Sequence, residues 1–102
     1  MSTLHQDILA RIRRAVREKR YQFTDHALEE ADADSLTLAD IRHVLLQGYV
    51  EAVYTEDWRG VRYVIRELVR KEPVDVVCRF RHDGTLLIII TVYVVDSGDI
   101  DE

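Results

Sequence analysis

The apolar residues of this chain change their period once, at Gly48. Before it they recur at intervals of three and four; from Tyr49 on they recur at every second position. The first interval lines one stripe of a helix and the second lines one face of a strand. A helical half followed by a sheet is therefore expected: one α+β domain over residues 1–102, with about three N-terminal helices packed on one face of a four-stranded, mainly antiparallel sheet.

In the helical half, Thr3 and Gln6 have the spacing of a capping box, and Leu4, Ile8, Ile12, Ala15 and Val16 follow at helical intervals. This predicts a first helix from about Leu4 to Lys19. Its outer stripe of Arg13, Arg17 and Arg20 reads as a solvated face or as a docking surface for an acidic partner or nucleic acid. Thr24 is the expected N-cap of a short second helix with Ala27, Leu28 and Ala31 inward. Thr37, with Asp40 three residues on, opens a third in which Ile41, Val44 and Leu45 pack and which Gly48 ends.

In the sheet half, Val50, Ala52 and Tyr54 alternate with Glu51 and Val53. Asp57 to Gly60 turn the chain, and Val61 to Leu68 return as a second strand. Pro73 has no amide proton to donate, which allows it only an edge or a strand start. Val74 to Arg81 and Leu86 to Val95 then form a second hairpin around His82, Asp83 and Gly84.

The length of that loop decides which side chains share a face. A two-residue loop at Asp83 and Gly84 pairs Phe80 with Leu87 and mixes polar with apolar residues on both faces. A three-residue loop with Gly84 left-handed pairs Phe80 with Leu86. Val76, Cys78 and Phe80 then join Leu86, Ile88, Ile90, Val92 and Val94 on a dry face; Val77, Arg79 and Arg81 join Leu87, Ile89, Thr91 and Tyr93 on a mixed one. The three-residue loop is the expectation. Its mixed face either solvates an exposed sheet or binds a phosphate, with arginines stabilising developing charge and a phenol exchanging a proton.

Composition narrows the classes. A chain with 47% apolar residues, 32% charged residues, one proline and four glycines hides roughly two-thirds of its unfolded surface on folding, enough for one core. The apolar run from Leu86 to Val95 is about half as long as a membrane-spanning helix, and the charged N-terminus does not make a signal peptide. The cytoplasm is the expected compartment, without membrane contact. Cys78 lacks a disulfide partner and falls on the dry face, as a core thiol rather than a nucleophile. His5, His43 and His82 share no metal-ligand spacing with one another or with Cys78, so no metal or cofactor is expected.

A net charge of −5 argues against broad nonspecific nucleic-acid binding. The charges are segregated, however. Residues 1–20 are rich in arginine, residues 25–40 carry only acids, and an acidic tail over about 96–102 is expected to be a mobile, solvated end. Twelve of the fourteen basic residues are arginine, whose planar fork grips phosphate or carboxylate. His26 falls in the first turn of the second helix, where the helix dipole disfavours a protonated imidazole. It reads either as a base or as a histidine that bonds near the cap and packs on Tyr21 or Phe23.

The stretch Arg20 to Ala27, then Ile41 to Gly48, Gly60 to Ile65, Val76 to Arg79 and Ile89 to Tyr93 resembles the small bacterial proteins grouped as domain of unknown function 4258. That family is similar in its layout of helices then sheet to the RelE and MqsR type toxins, ribonucleases that cleave messenger RNA without metal and are neutralised by an antitoxin protein. The resemblance implies attack of a ribose 2′-hydroxyl on the adjacent phosphate. His26 would be the base, Arg79 the charge stabiliser with help from Arg62, and Tyr93 the acid or positioner; Arg62, Arg81 and Thr91 would hold substrate. One departure is that Glu29, Glu30, Ala31 and Asp32 stand where such proteins commonly carry an arginine. The acids face away from the site, or the chain keeps only a binding role. A non-catalytic interaction module and a homodimer built on strand edges are the rival readings.

Overall fold

The computed structural model describes residues 3–96, with side chains from residue 5 on; the Thr3 capping box and the acidic tail beyond residue 96 fall outside those bounds. The elements are α1 (Thr3–Arg17), β1 (Tyr21–Phe23), α2 (Asp25–Ala33), α3 (Leu38–Gln47), β2 (Tyr49–Tyr54), β3 (Arg62–Val69), β4 (Glu72–Phe80) and β5 (Leu87–Val94). Thr24 and Thr37 start helices as their reading as caps requires. The Thr24 hydroxyl accepts from the Ala27 amide at 3.0 Å and Thr37 from the Asp40 amide at 3.0 Å. The Asp40 carboxylate accepts from the Thr37 amide at 2.9 Å, which closes the capping box.

The sheet has five strands rather than the expected four, in the order β1, β5, β4, β3, β2. The added strand is β1, parallel to β5 with Tyr21 beside Leu87 and Phe23 beside Ile89; the other neighbours are antiparallel. Three residues are too few to display an alternation, so periodicity could not reveal it. Pro73 sits second in β4, at a strand start as its missing donor requires.

One apolar cluster joins helices to sheet: Ile8, Ile12, Ala15 and Val16 of α1, Ala27 and Ala31 of α2, Ile41, Val44 and Leu45 of α3, and Ile65, Val76, Cys78, Leu87, Ile89 and Val92 of the strands. Each buried Ile, Leu or Val contributes about 1.5–3 kcal/mol relative to exposure, against ~0–1 kcal/mol for a surface ion pair. The helices therefore hold to the sheet through this layer. Gly48 ends α3, but not by a left-handed turn, since its φ is −81°. It is needed for space: a Cβ there would lie 2.5 Å from the Val44 carbonyl oxygen and 2.6 Å from that of Arg66.

The β4–β5 hairpin departs from the expected register. Gly84 is left-handed, with φ +73°, but the Arg81 amide donates to the Leu86 carbonyl at 2.8 Å, which leaves His82 to Thr85 in the loop. The Asp83 carboxylate secures the extra residue, accepting from the Thr85 amide at 3.0 Å and hydroxyl at 2.8 Å. Phe80 thus pairs with Leu87 and Cys78 with Ile89, after which a bulge shifts the ladder so that Val77 pairs with Thr91 and Val76 with Val92. The helix-facing side gathers Val74, Val76, Cys78 and Phe80 with Leu87, Ile89, Val92 and Val94. Leu86, Ile88 and Ile90 are excluded from it, and Leu87 and Ile89 move onto it. Because the bulge absorbs one residue, Arg79, Thr91 and Tyr93 still share the opposite face.

Candidate functional site

On the face of the sheet opposite the helices, three rows of side chains cross the strands. In the first, Arg66 stands beside Asp75 and Asp75 beside Tyr93. Asp75 is 2% exposed, the one buried charged residue among the described residues. A buried charge needs a close partner. Arg66 grips it with both prongs, at 2.7 and 3.0 Å. Burial, and then the neighbouring Asp75 carboxylate, push the Tyr93 phenol up to about 12, so it remains a protonated hydroxyl facing an acceptor.

The second row runs from Val64 through Val77 to Thr91. The Thr91 hydroxyl donates to the Glu30 carboxylate, and His26 Nε2 lies 3.1 Å from the same Glu30 oxygen. A polar chain therefore runs from His26 through Glu30 to Thr91. It can form because α2 continues along the edge of β5 where β1 stops. The Thr24 amide donates to the Ile89 carbonyl at 3.0 Å and its hydroxyl to the Ile90 carbonyl at 2.8 Å. Further along, Asp34 accepts from the Val94 amide at 3.2 Å.

The third row is cationic. Arg79 pairs with Ile88, and Arg62 and Arg79 are the residues that flank the last β3–β4 pair, Tyr63–Cys78. Like charges on neighbouring strands repel. Arg62 is compensated only loosely, with Asp57 3.4 Å from its Nε, and its guanidinium lies 5.3 Å from the centre of the Tyr54 ring. Half-buried Arg79 pairs with no carboxylate among the described residues. Two arginines on adjacent strands with less than one full counter-charge make this end of the face net cationic and suited to an anion.

Residues 23–94 match the family model described as Domain of unknown function (DUF4258). The chain belongs to that family. No curated protein and no solved structure matches it.

In this DUF4258 chain the matched segment holds His26, Arg62, Arg79, Arg81, Thr91 and Tyr93, while α1 lies before it. The structure brings Arg62, Arg79 and Thr91 onto one face, with His26 tied to Thr91 through Glu30. Tyr93 is on that face, one row away and engaged with Asp75. Arg81 is not brought in. It lies past the end of β4, and its guanidinium bonds Asp83 at 2.9 Å and the Thr85 hydroxyl at 3.3 Å within the hairpin loop. That contact holds the Asp83 carboxyl well below the usual range. Cys78 is enclosed in the core, where burial pushes its thiol up to about 12 and keeps it from acting as a nucleophile.

Two residues of the site escaped the sequence reading. Glu30 had a signal, since it stands four residues after His26 on a helix and so shares its face. Asp75 had one too: a carboxylate among Val74, Val76 and Val77 must find a cation. Of the acidic segment, Glu30 turns into the site, while Glu29 and Asp32 are exposed. Among the described residues no three histidine, cysteine or carboxylate side chains converge as a metal set, and no helix is long and apolar enough to cross a membrane.

Proposed function

We propose that this protein is a toxin-like, metal-independent endoribonuclease with a RelE-like fold, restrained by an antitoxin protein. The observation that carries the reading is one sheet face that holds Arg62, Arg79 and Thr91, with His26 tied to Thr91 through Glu30. An imidazole that donates from Nε2 to Glu30 keeps its lone pair on Nδ1. Nδ1 takes the proton of a ribose 2′-hydroxyl; the 2′-oxygen bonds to phosphorus, and the bond to the 5′-oxygen breaks. A 2′,3′-cyclic phosphate and a 5′-hydroxyl result, the leaving oxygen taking a proton from solvent and His26 releasing its own. The two guanidiniums stabilise the charge on the phosphorane. Tyr93 positions rather than protonates, because its hydroxyl is turned toward Asp75.

Inducible expression with transcript mapping tests this. Growth arrest with discrete cleavage sites is expected, relieved by His26→Ala or Arg79→Ala. Full toxicity of both variants would sink the site.

Two observations favour a second reading, a non-catalytic interaction module. Asp25, Glu29 and Glu30 surround His26 on its own helix and repel RNA, while β2 is an edge strand that exposes Tyr49, Val53 and Tyr54 to strand addition by a second copy or another protein. Pure protein that leaves RNA intact over hours, and elutes as a stable complex or dimer by light scattering, would choose it.

A further inference from the structure

The loop between β2 and β3 holds the most exposed large hydrophobic side chain described, Trp58, at 91%. Nothing in the fold accounts for it. An indole left in water gives up the hydrophobic gain of burial, and this one stands on a ridge between two open clefts. The first, about 520 Å³, is lined by Tyr54, Asp57, Arg59 and Arg62 among others. The second, about 340 Å³, is lined by Arg11, Arg59, Phe80 and Arg81 among others. Aromatic rings and guanidiniums alternate along both: Arg59 lies 5.8 Å from the Trp58 ring centre, Arg62 5.3 Å from that of Tyr54, and Arg11 4.3 Å from that of Phe80.

Flat rings interleaved with cations are what an unpaired nucleotide requires, since every base has a face to stack and every linkage a negative charge. A double helix keeps its bases stacked on one another and cannot offer them. Acids temper this charge unevenly: Glu56 and Asp57 line the first cleft beside Arg59 and Arg62 and balance them, whereas the second is lined by Arg11, Arg59 and Arg81 without an acid, Arg81 bonding Asp83 and Arg11 lying over Phe80, so the cationic excess lies there. Arg62 belongs both to the first cleft and to the arginine pair of the open face, so the two sites are continuous.

We propose that Trp58 and the adjoining cleft form a subsite for an unpaired RNA nucleotide flanking the phosphate held by Arg62 and Arg79, with Trp58 stacking on the base and Arg59 contacting the backbone. This rests on the ribonuclease reading above and adds to it a preference for single-stranded substrate.

Trp58 is the chain's one tryptophan, so its fluorescence reports this subsite alone. A single-stranded hexaribonucleotide titrated into the whole protein is expected to quench it, a duplex of the same sequence is not, and added salt should reverse the quenching. Trp58→Ala, in an exposed loop, should weaken binding of a labelled hexamer about tenfold by anisotropy. His26→Ala should abolish cleavage while leaving the quenching intact. Hexamer binding or cleavage without a change in Trp58 emission would overturn the subsite and spare the ribonuclease reading. Quenching without cleavage would uphold the subsite and defeat that reading, and absence of any RNA binding would defeat both. An acidic peptide that quenches as strongly as the hexamer would assign the cleft to a protein and overturn the proposal.

Discussion

Tyr93 shows how a single burial sets chemistry. Its phenol is raised to about 12 by burial and by Asp75, which means that the fold favours the neutral hydroxyl over the phenolate. That stabilisation is fully present below the ordinary phenol value of about 10 and is lost as pH rises from there through 12. Alkaline unfolding should therefore be shallower in Tyr93→Phe than in the parent, by chemical denaturation at a series of pH values. Asp75→Asn removes the negative neighbour and leaves the burial. The Tyr93 titration, followed by ultraviolet difference absorbance against Tyr93→Phe, should shift down without reaching the ordinary value. The same substitution strands Arg66, whose other contact is Glu51 at 3.5 Å, at a cost of about 3 kcal/mol.

At the scale of elements, what the sequence made legible follows from signal strength. The threonine caps and the long amphipathic α1 were readable because each rests on a local rule. The phase of β5 was not. Its run from Leu86 to Ile90 is apolar at every position, so either set of alternate residues could face the core, and the bulge that changes phase before Val92 leaves no trace in such a run. Arg79, Thr91 and Tyr93 were placed correctly on one face, but only because the loop and bulge errors cancel; Arg81, beyond the strand end, had no such cancellation. The β3–β4 turn was equally hidden. Arg70 and Lys71 carry it with φ of +49° and +73°, a conformation normally given to Asn and Gly. Arg70 has a reason to be there, since it bonds the Asp40 carboxylate twice at 3.0 Å and ties the hairpin to the start of α3. Among the described residues Lys71 has no such contact, and Lys71→Gly should stabilise the fold by about 1 kcal/mol in urea denaturation. The Asp40 carboxyl is held down at about 2, first by Arg70 and then by the Thr37 amide. Its contribution stands above the ordinary carboxyl value near 4 and fades as pH falls toward 2. Asp40→Ala should cost about 1–2 kcal/mol at neutral pH and progressively less as the medium is acidified.

Across the whole molecule, stability is graded from the centre of the sheet outward. Strand β4 has a neighbour on each side and helices over its Val76 and Cys78, so its amides should exchange with deuterium only through global unfolding. The three residues of β1 are held by one parallel ladder and should exchange faster through local opening. Equal protection of the two strands would contradict this layout. The pairing of β1 with β5 also orders events in time. Tyr21 leaves the ribosome well before Leu87, an interval on the order of seconds at usual rates of synthesis. Throughout it α1, α2 and α3 have no finished sheet to cover. Thr91 and Tyr93 lie on β5, which follows every other described element, so the proposed RNA site is assembled only after those elements have been made, and a growing copy on the ribosome carries His26 but not the surface against which it would work.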